Sequence, residues 1–334
     1  MAGFRGSRLF VIVNIVRSTL KKLILSTTAS FSKTVETTDL KNRLAEAGCE
    51  VVLHDSFEPP FPFDAERVVA IVAGHTPKGE MLFVGPKEAA HFPHLKVVSP
   101  FGVGTNHIGL DGLTAAGYTV LILPSLSKRT VAELAIASMF ALARRLTQQT
   151  AAIKSGVWQR EDGRNLEGKT VGIIGLGNIG KEVVKLVRAL GMQVLACDIV
   201  YDDSFNSEWQ IKTGEVDDVC RRSDFLTLHV PLTTATKDMI GEREFTLMKD
   251  GIFFINAARG EIVEHAALLR ALESGKVAGA ALDVFTKEPP FGDVTLERII
   301  AHRNVVLTPH VGAFTPETRK KIATFIIEHT LSFI

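Results

Sequence analysis

Between Thr170 and Ile199 the chain reads TVGIIGLGNIGKEVVKLVRALGMQVLACDI, the stretch that most narrows its fold. An apolar run leads into Gly175-Leu-Gly177-Asn178-Ile179-Gly180 and an amphipathic segment follows. A second apolar run then ends in Asp198, eighteen positions after Gly180. The pattern predicts strand, tight turn, helix and parallel strand, because periodicity changes from buried run to helical spacing at the glycines. Gly175 permits the turn, and Gly177 lets the backbone approach a pyrophosphate at the helix N-terminus. Gly180 lets the helix lie close to the strand. An acid in the position of Asp198 accepts hydrogen bonds from the ribose hydroxyls and repels a 2′-phosphate. Its neighbour is Ile199, not an arginine or lysine, so NAD is expected over NADP.

Similar short apolar runs recur on both sides of this unit. Before it come LILS, EVVLHD, RVVAIVAG, LKVVSPF and YTVLIL, with a helix expected over residues 34–47. From Thr170 onward come TVGIIG, QVLACD, DFLTLHVP, GIFFINAARG, AGAALDVF and NVVLTPH. Short apolar runs alternating with helical spacers predict an α/β protein with parallel sheets covered on both faces. The segment 130–146 is apolar nearly all round, so it is expected to be buried between domains or against another subunit. A length of 334 residues suits two such domains, and a net charge of +1 offers no electrostatic footprint for nucleic acid.

In open parallel sheets ligands bind beyond the carboxyl ends of the strands. Asp198, His229, Arg259, Asp283 and His310 all stand at or just past such ends. A fixed guanidinium suits a keto-acid carboxylate, which it grips by two parallel hydrogen bonds. A histidine exchanges a proton with a carbonyl or hydroxyl oxygen, and a carboxylate such as Glu288 on its far nitrogen fixes the tautomer. Together these groups suit hydride exchange between a nicotinamide and a 2-hydroxy acid.

The motifs GLGNIG with Asp198, HVPLT, NAARGEIV, ALDVFTKEPP and LTPHVGAFT resemble those of the D-isomer-specific 2-hydroxyacid dehydrogenases. That family includes phosphoglycerate dehydrogenase and glyoxylate/hydroxypyruvate reductase, and the likeness runs from about Lys22 to the C-terminus. It implies a fold of two doubly wound parallel-sheet domains, with a Rossmann NAD-binding domain (125–310) inserted into a flavodoxin-like substrate domain (22–124 and 311–334). It implies Arg259, Glu288 and His310 as catalytic residues. Substrate contacts are implied at Val103, Gly104, Arg259 and His310. NAD contacts are implied at Gly175, Gly177, Asn178, Ile179, Gly180 and Asp198. Further ones fall at Thr130, His229, Val230, Pro231, Ala257, Ala258, Arg259, Asp283, His310 and Gly312. The final helix, 316–334, is expected to return onto the first domain, with no regulatory domain after it. The family's dimers use the equivalent of the helix at 130–146, so a homodimer is expected.

The sequence departs from the family pattern after the carboxylate loop, where TNHIGLD puts Asn106 and His107 near the pocket. VAGHTPKG lacks the basic residue of phosphoglycerate-specific members, although His75 and Lys78 are candidates to replace it. A small unphosphorylated 2-keto acid is therefore the expected substrate. The rival reading is an NAD(H)-sensing, corepressor-like binding protein of the same fold. No metal is expected, since Pro93 breaks the helical spacing of His91 and His94. Trp158 reads as a packing residue, and Arg144-Arg145 as solvated charges. Three cysteines without pairing or metal spacing fit a reducing, cytoplasmic setting. Residues 1–21 read as an extension. Being rich in arginine and free of acid, they fit a mitochondrial presequence better than a secretory signal, although a bland extension or a misplaced start is the favoured reading. No membrane association is expected.

Overall fold

Five of the apolar runs form one parallel sheet in the computed structural model, which describes residues 20–334. The strands are β1 (Lys22–Ser26), β2 (Cys49–Leu53), β3 (Val68–Ala73), β4 (Val97–Pro100) and β5 (Thr119–Val120). Their order is β2-β1-β3-β4-β5, the flavodoxin-like arrangement. All six residues of β3 are buried, as a central strand covered on both faces requires. At the carboxyl end of β1 the Thr27 hydroxyl donates to the Gly74 carbonyl at 3.1 Å and accepts from the Gly74 N–H at 3.0 Å, tying β1 to β3. This unit comprises residues 20–124 and Pro316–Ile334. The helix Pro316–Leu331 closes it, burying Ile322, Ala323, Ile326 and Ile327 and packing on the helices Ala29–Glu36 and Leu40–Glu46.

Those two helices replace the single one expected over 34–47. Thr37 and Thr38 turn their hydroxyls back onto the carbonyls of Lys33 and Thr34, each at 2.8 Å. Such bonds compete with the helical ladder, and the chain breaks there before restarting at Leu40.

The second unit, Ser125–Thr315, holds seven parallel strands. They are β6 (Thr170–Ile174), β7 (Gln193–Cys197), β8 (Lys212–Thr213), β9 (Phe225–Leu228), β10 (Ile252–Asn256), β11 (Val277–Leu282) and β12 (Val305–Leu307). Their order is β12-β11-β10-β9-β6-β7-β8, so the chain winds outward from β6 and then restarts on its other side at β9. The β6/β9 boundary is the topological switch point where doubly wound sheets open a crevice. β8 carries no sequence signal, being two exposed residues at the sheet edge.

The apolar helix runs over Lys128–Ala143 and stops at Arg145, whose φ of 49° is left-handed; a second helix covers Leu146–Lys154. Val131, Ala132, Ala135, Met139 and Leu142 are buried. They lie against the helix Asn178–Ala189 and against β10, β11 and β12. One face of the helix is thus covered inside its own unit, while Leu134 and Ile136 are half-buried and Phe140 is exposed. Arg145 is not simply solvated, since it pairs with Glu161 at 2.7 Å. Trp158 is 81% exposed rather than packed. The expected extension over 1–21 falls, for residues 1–19, outside the described residues. Among the described residues no helix is long and apolar enough to cross a membrane.

Candidate active site

The glycine turn after β6 is fixed by close contacts. Gly175 has φ +99°, and a β-carbon there would fall 2.5 Å from the carbonyl carbon of His229, just past β9. No other residue suits both the left-handed turn and that approach. A β-carbon on Gly180 would sit 2.1 Å from the Gly175 carbonyl oxygen, so the helix Asn178–Ala189 lies directly on the turn. At Gly177 a β-carbon would meet nothing within 4 Å, leaving open space before the helix N-terminus. That space, beside unsatisfied N–H groups, fits a pyrophosphate. Asn178 is exposed and donates to the Ser125 hydroxyl at 3.0 Å, while Ile179 is half-buried. Thr130 stands in the first turn of the helix Lys128–Ala143.

Asp198 follows β7. Its carboxylate accepts the N–H of Leu176 inside the glycine turn and the N–H of Ile199 at 2.6 Å. The acid is therefore braced against the turn, and Ile199 beside it is 97% exposed. Across the crevice, the His229 N–H donates to the Ile174 carbonyl at 2.7 Å. Its ring lies 3.0 Å from the Thr227 hydroxyl, and burial holds its pKa down to about 4. The ring is neutral and turned inward, so His229 borders the crevice with its backbone, as do half-buried Val230 and exposed Pro231.

Past β10, β11 and β12 lies the second cluster. Buried Asn256 ends β10; its side chain donates to the Arg259 carbonyl at 2.8 Å and accepts the Ala258 N–H at 3.0 Å. This closes Asn256–Arg259, including Ala257, into a fixed turn. Nothing in the apolar pattern marked Asn256 as functional; its signal was a lone amide ending a buried strand. Arg259 is half-buried and donates to the Ala258 carbonyl at 2.6 Å. Burial lowers its pKa, while the charges of Glu288 and Glu261 oppose that shift.

Glu288 uses both oxygens. Oε1 accepts the Phe285 N–H at 3.1 Å, and Oε2 lies 2.9 Å from His310 Nδ1. Binding at Nδ1 directs the proton-exchanging role to Nε2. His310 itself is left-handed, with φ 52°. Asp283, 4% exposed, accepts the N–H groups of Val311 and Gly312 at 2.8 Å each. Burial raises its pKa, and the hydrogen bonds it accepts act against that. The structure thus gathers Arg259, Asp283, Glu288, His310 and Gly312 at the carboxyl ends of three adjacent strands in one unit. Val103 and Gly104 lie in the first unit, in the loop following β4, with Val103 39% exposed.

Residues 136–312 match the family model for the D-isomer specific 2-hydroxyacid dehydrogenase, NAD binding domain. The chain belongs to that family. Its cofactor is NAD, in agreement with the open glycine turn and braced Asp198. Hydroxypyruvate reductase of Thermotoga maritima is 37% identical over 237 residues, covering 70% of this chain and 76% of that protein. D-3-phosphoglycerate dehydrogenase of Methanocaldococcus jannaschii is 40% identical over 239 residues, covering 70% of this chain. The aligned part of the chain spans only 44% of the length of that protein and of its Archaeoglobus fulgidus counterpart. The solved D-lactate dehydrogenase of Aquifex aeolicus, complexed with NAD and lactic acid, superposes with a TM-score of 0.80 at 27% identity. That alignment covers 93% of this chain and 95% of that one.

Proposed function

We propose that this chain is an NAD-dependent D-2-hydroxyacid dehydrogenase acting on a small 2-keto acid, with His310 as general acid and base. The observation that carries the reading is the 2.9 Å contact between Glu288 Oε2 and His310 Nδ1 at the carboxyl end of β12. NAD, when bound, supplies or accepts the hydride. Arg259 holds the substrate carboxylate, and the backbone of Val103 and Gly104 serves as its second support. In reduction, His310 donates the Nε2 proton to the carbonyl oxygen while Glu288 stabilises the ring's orientation and its transient positive charge. In oxidation the same nitrogen removes the hydroxyl proton. Asn256 and Gly260 keep the Arg259 turn in place and touch no reacting atom.

The protein is read as a homodimer, supported by exposed Phe140, Leu146, Ile153, Val157 and Trp158. Cys49, Cys197 and Cys220 are free thiols, which supports a reducing compartment such as the cytoplasm. The test is NADH oxidation against a panel of glyoxylate, hydroxypyruvate, pyruvate and longer 2-keto acids, with His310→Gln as control. Turnover of at least one short acid, lost by about two to four decades in His310→Gln, is expected. NADH binding without turnover of any acid would favour an NAD(H)-sensing protein instead.

A further inference from the structure

The imidazole of His310 is held from two directions. Glu288 holds the ring, and a separate set of bonds holds the backbone beneath it. The left-handed φ of 52° at His310 turns the N–H groups of Val311 and Gly312 toward one side. Successive N–H groups turned this way form a concave anion site, a nest. Here the anion belongs to the protein. Asp283 Oδ1 accepts Val311 N–H and Oδ2 accepts Gly312 N–H, each at 2.8 Å. The Asp283 carbonyl also accepts the His310 N–H at 2.8 Å. Thr308, two residues before His310, donates its hydroxyl to Asp283 Oδ1 at 2.6 Å, and its own N–H bonds the Leu282 carbonyl at 3.1 Å.

Oδ1 therefore has both acceptor positions filled, by Thr308 and Val311. Oδ2 accepts from Gly312. The carboxylate is thereby aimed by Thr308 into the nest. Without that bond Oδ1 is held by the Val311 N–H alone, and the anion that compensates the conformational cost of the left-handed residue is less firmly fixed.

We infer that Thr308 and Asp283 are positioning residues for His310, placing its imidazole through the backbone of His310–Gly312 and not by contact with the ring. The inference rests on the reading of His310 as the acid–base group. Thr308→Val keeps the side-chain shape and removes the donor, whereas Thr308→Ser keeps the donor. Thr308→Val is expected to lower kcat about tenfold or more, since misplacement by an ångström costs that much or more. KM for NADH is measured alongside, because Asp283 and Gly312 are themselves read as NAD contacts, and the fall in kcat is read at saturating NADH. The isotope effect with NADH deuterated at the transferred position should rise as hydride transfer becomes slower. Thr308→Ser should restore kcat.

If Thr308→Val lowers the melting temperature, kcat is referred to the fraction that binds NADH, measured by nicotinamide fluorescence, so that loss of folded protein is not counted. Wild-type kcat in Thr308→Val, or a loss that Thr308→Ser does not restore, overturns the inference. So does a rise in the NADH dissociation constant that accounts for the whole loss. Assayed beside it, an inactive His310→Gln together with an unimpaired Thr308→Val overturns this inference alone. An active His310→Gln overturns the functional reading and this inference with it.

Discussion

Gly260 and Phe285 meet backbone to backbone: a β-carbon on Gly260 would lie 2.0 Å from the carbonyl carbon of Phe285. Gly260 follows Arg259, and Phe285 donates its N–H to Glu288. The contact therefore sets the spacing between the turn that carries the guanidinium and the turn that carries the carboxylate. Gly260→Ala should force the two turns apart, at a stability cost of about 3 kcal/mol, the upper end of overpacking effects. Catalytic efficiency should fall with it. Urea denaturation beside steady-state kinetics checks both, and an unchanged midpoint would refute the contact.

Much of this was legible because each signal was local. Gly175, Gly177, Gly180 and Asp198 lie within one βαβ unit, where spacing alone implies geometry. Arg259, Glu288 and His310 each sat after an apolar run, and parallel strands bring such ends together. What sequence hid depends on tertiary contact. The Thr308–Asp283 bond joins residues twenty-five positions apart. The need for glycine at 260 lies in the Phe285 backbone against it, which no local pattern marks. Composition marked the helix at Lys128–Ala143 as buried but not which of its faces the same unit covers. Its end at Arg145 had no glycine or proline to announce it.

Asp198 is braced by Leu176 and Ile199, so its carboxylate cannot swing aside for a 2′-phosphate without breaking bonds in the glycine turn. NADH should exceed NADPH by tenfold or more in kcat/KM, a difference of about 1.4 kcal/mol per decade. Replacing Asp198 with Ser and Ile199 with Arg together should narrow or reverse that ratio. Equal efficiency of the two cofactors in the native protein would contradict the role given to Asp198.

The buried ring of His229 predicts a pH dependence of stability. Burial moves its pKa from 6.5 to about 4, so the folded state disfavours the charged ring. Between these values the unfolded chain binds a proton that the folded chain does not. Stability from this residue is therefore full above pH 6.5 and is lost as pH falls toward 4, by up to about 3 kcal/mol. Denaturation at pH 5 and 7.5 in the native protein and His229→Gln measures it. If both proteins lose the same stability on acidification, His229 is not the source.

Past the end of the helix Lys128–Ala143, Leu146 is 50% exposed, Ile153 55%, Val157 46% and Trp158 81%. Large apolar side chains exposed this close together in sequence suit a contact surface. The intact protein should elute as a dimer, and Leu146→Glu with Ile153→Glu should make it monomeric while leaving its circular dichroism intact. A stable native monomer in light scattering at micromolar concentration would remove the dimer from the functional reading.

Arg259 offers the sharpest division between charge and geometry. Its guanidinium is half-buried, one nitrogen already donates to the Ala258 carbonyl at 2.6 Å, and the Asn256 side chain fixes its backbone. A group held this way is fixed in direction, as recognition of a keto-acid carboxylate requires. Arg259→Lys keeps the charge but replaces the planar fork with a rotating point donor. If carboxylate recognition is geometric, KM for the keto acid should rise about tenfold or more in Arg259→Lys, nearly as far as in Arg259→Ala. KM for NADH should change less than KM for the keto acid in both, because the glycine turn and Asp198 are untouched. The fall in kcat should exceed the loss expected from weaker ground-state binding alone, since the same grip aligns the carbonyl with the Nε2 proton of His310. Arg259→Lys with native kinetics would mean that any cation suffices there, and the carboxylate would have to be oriented by other groups.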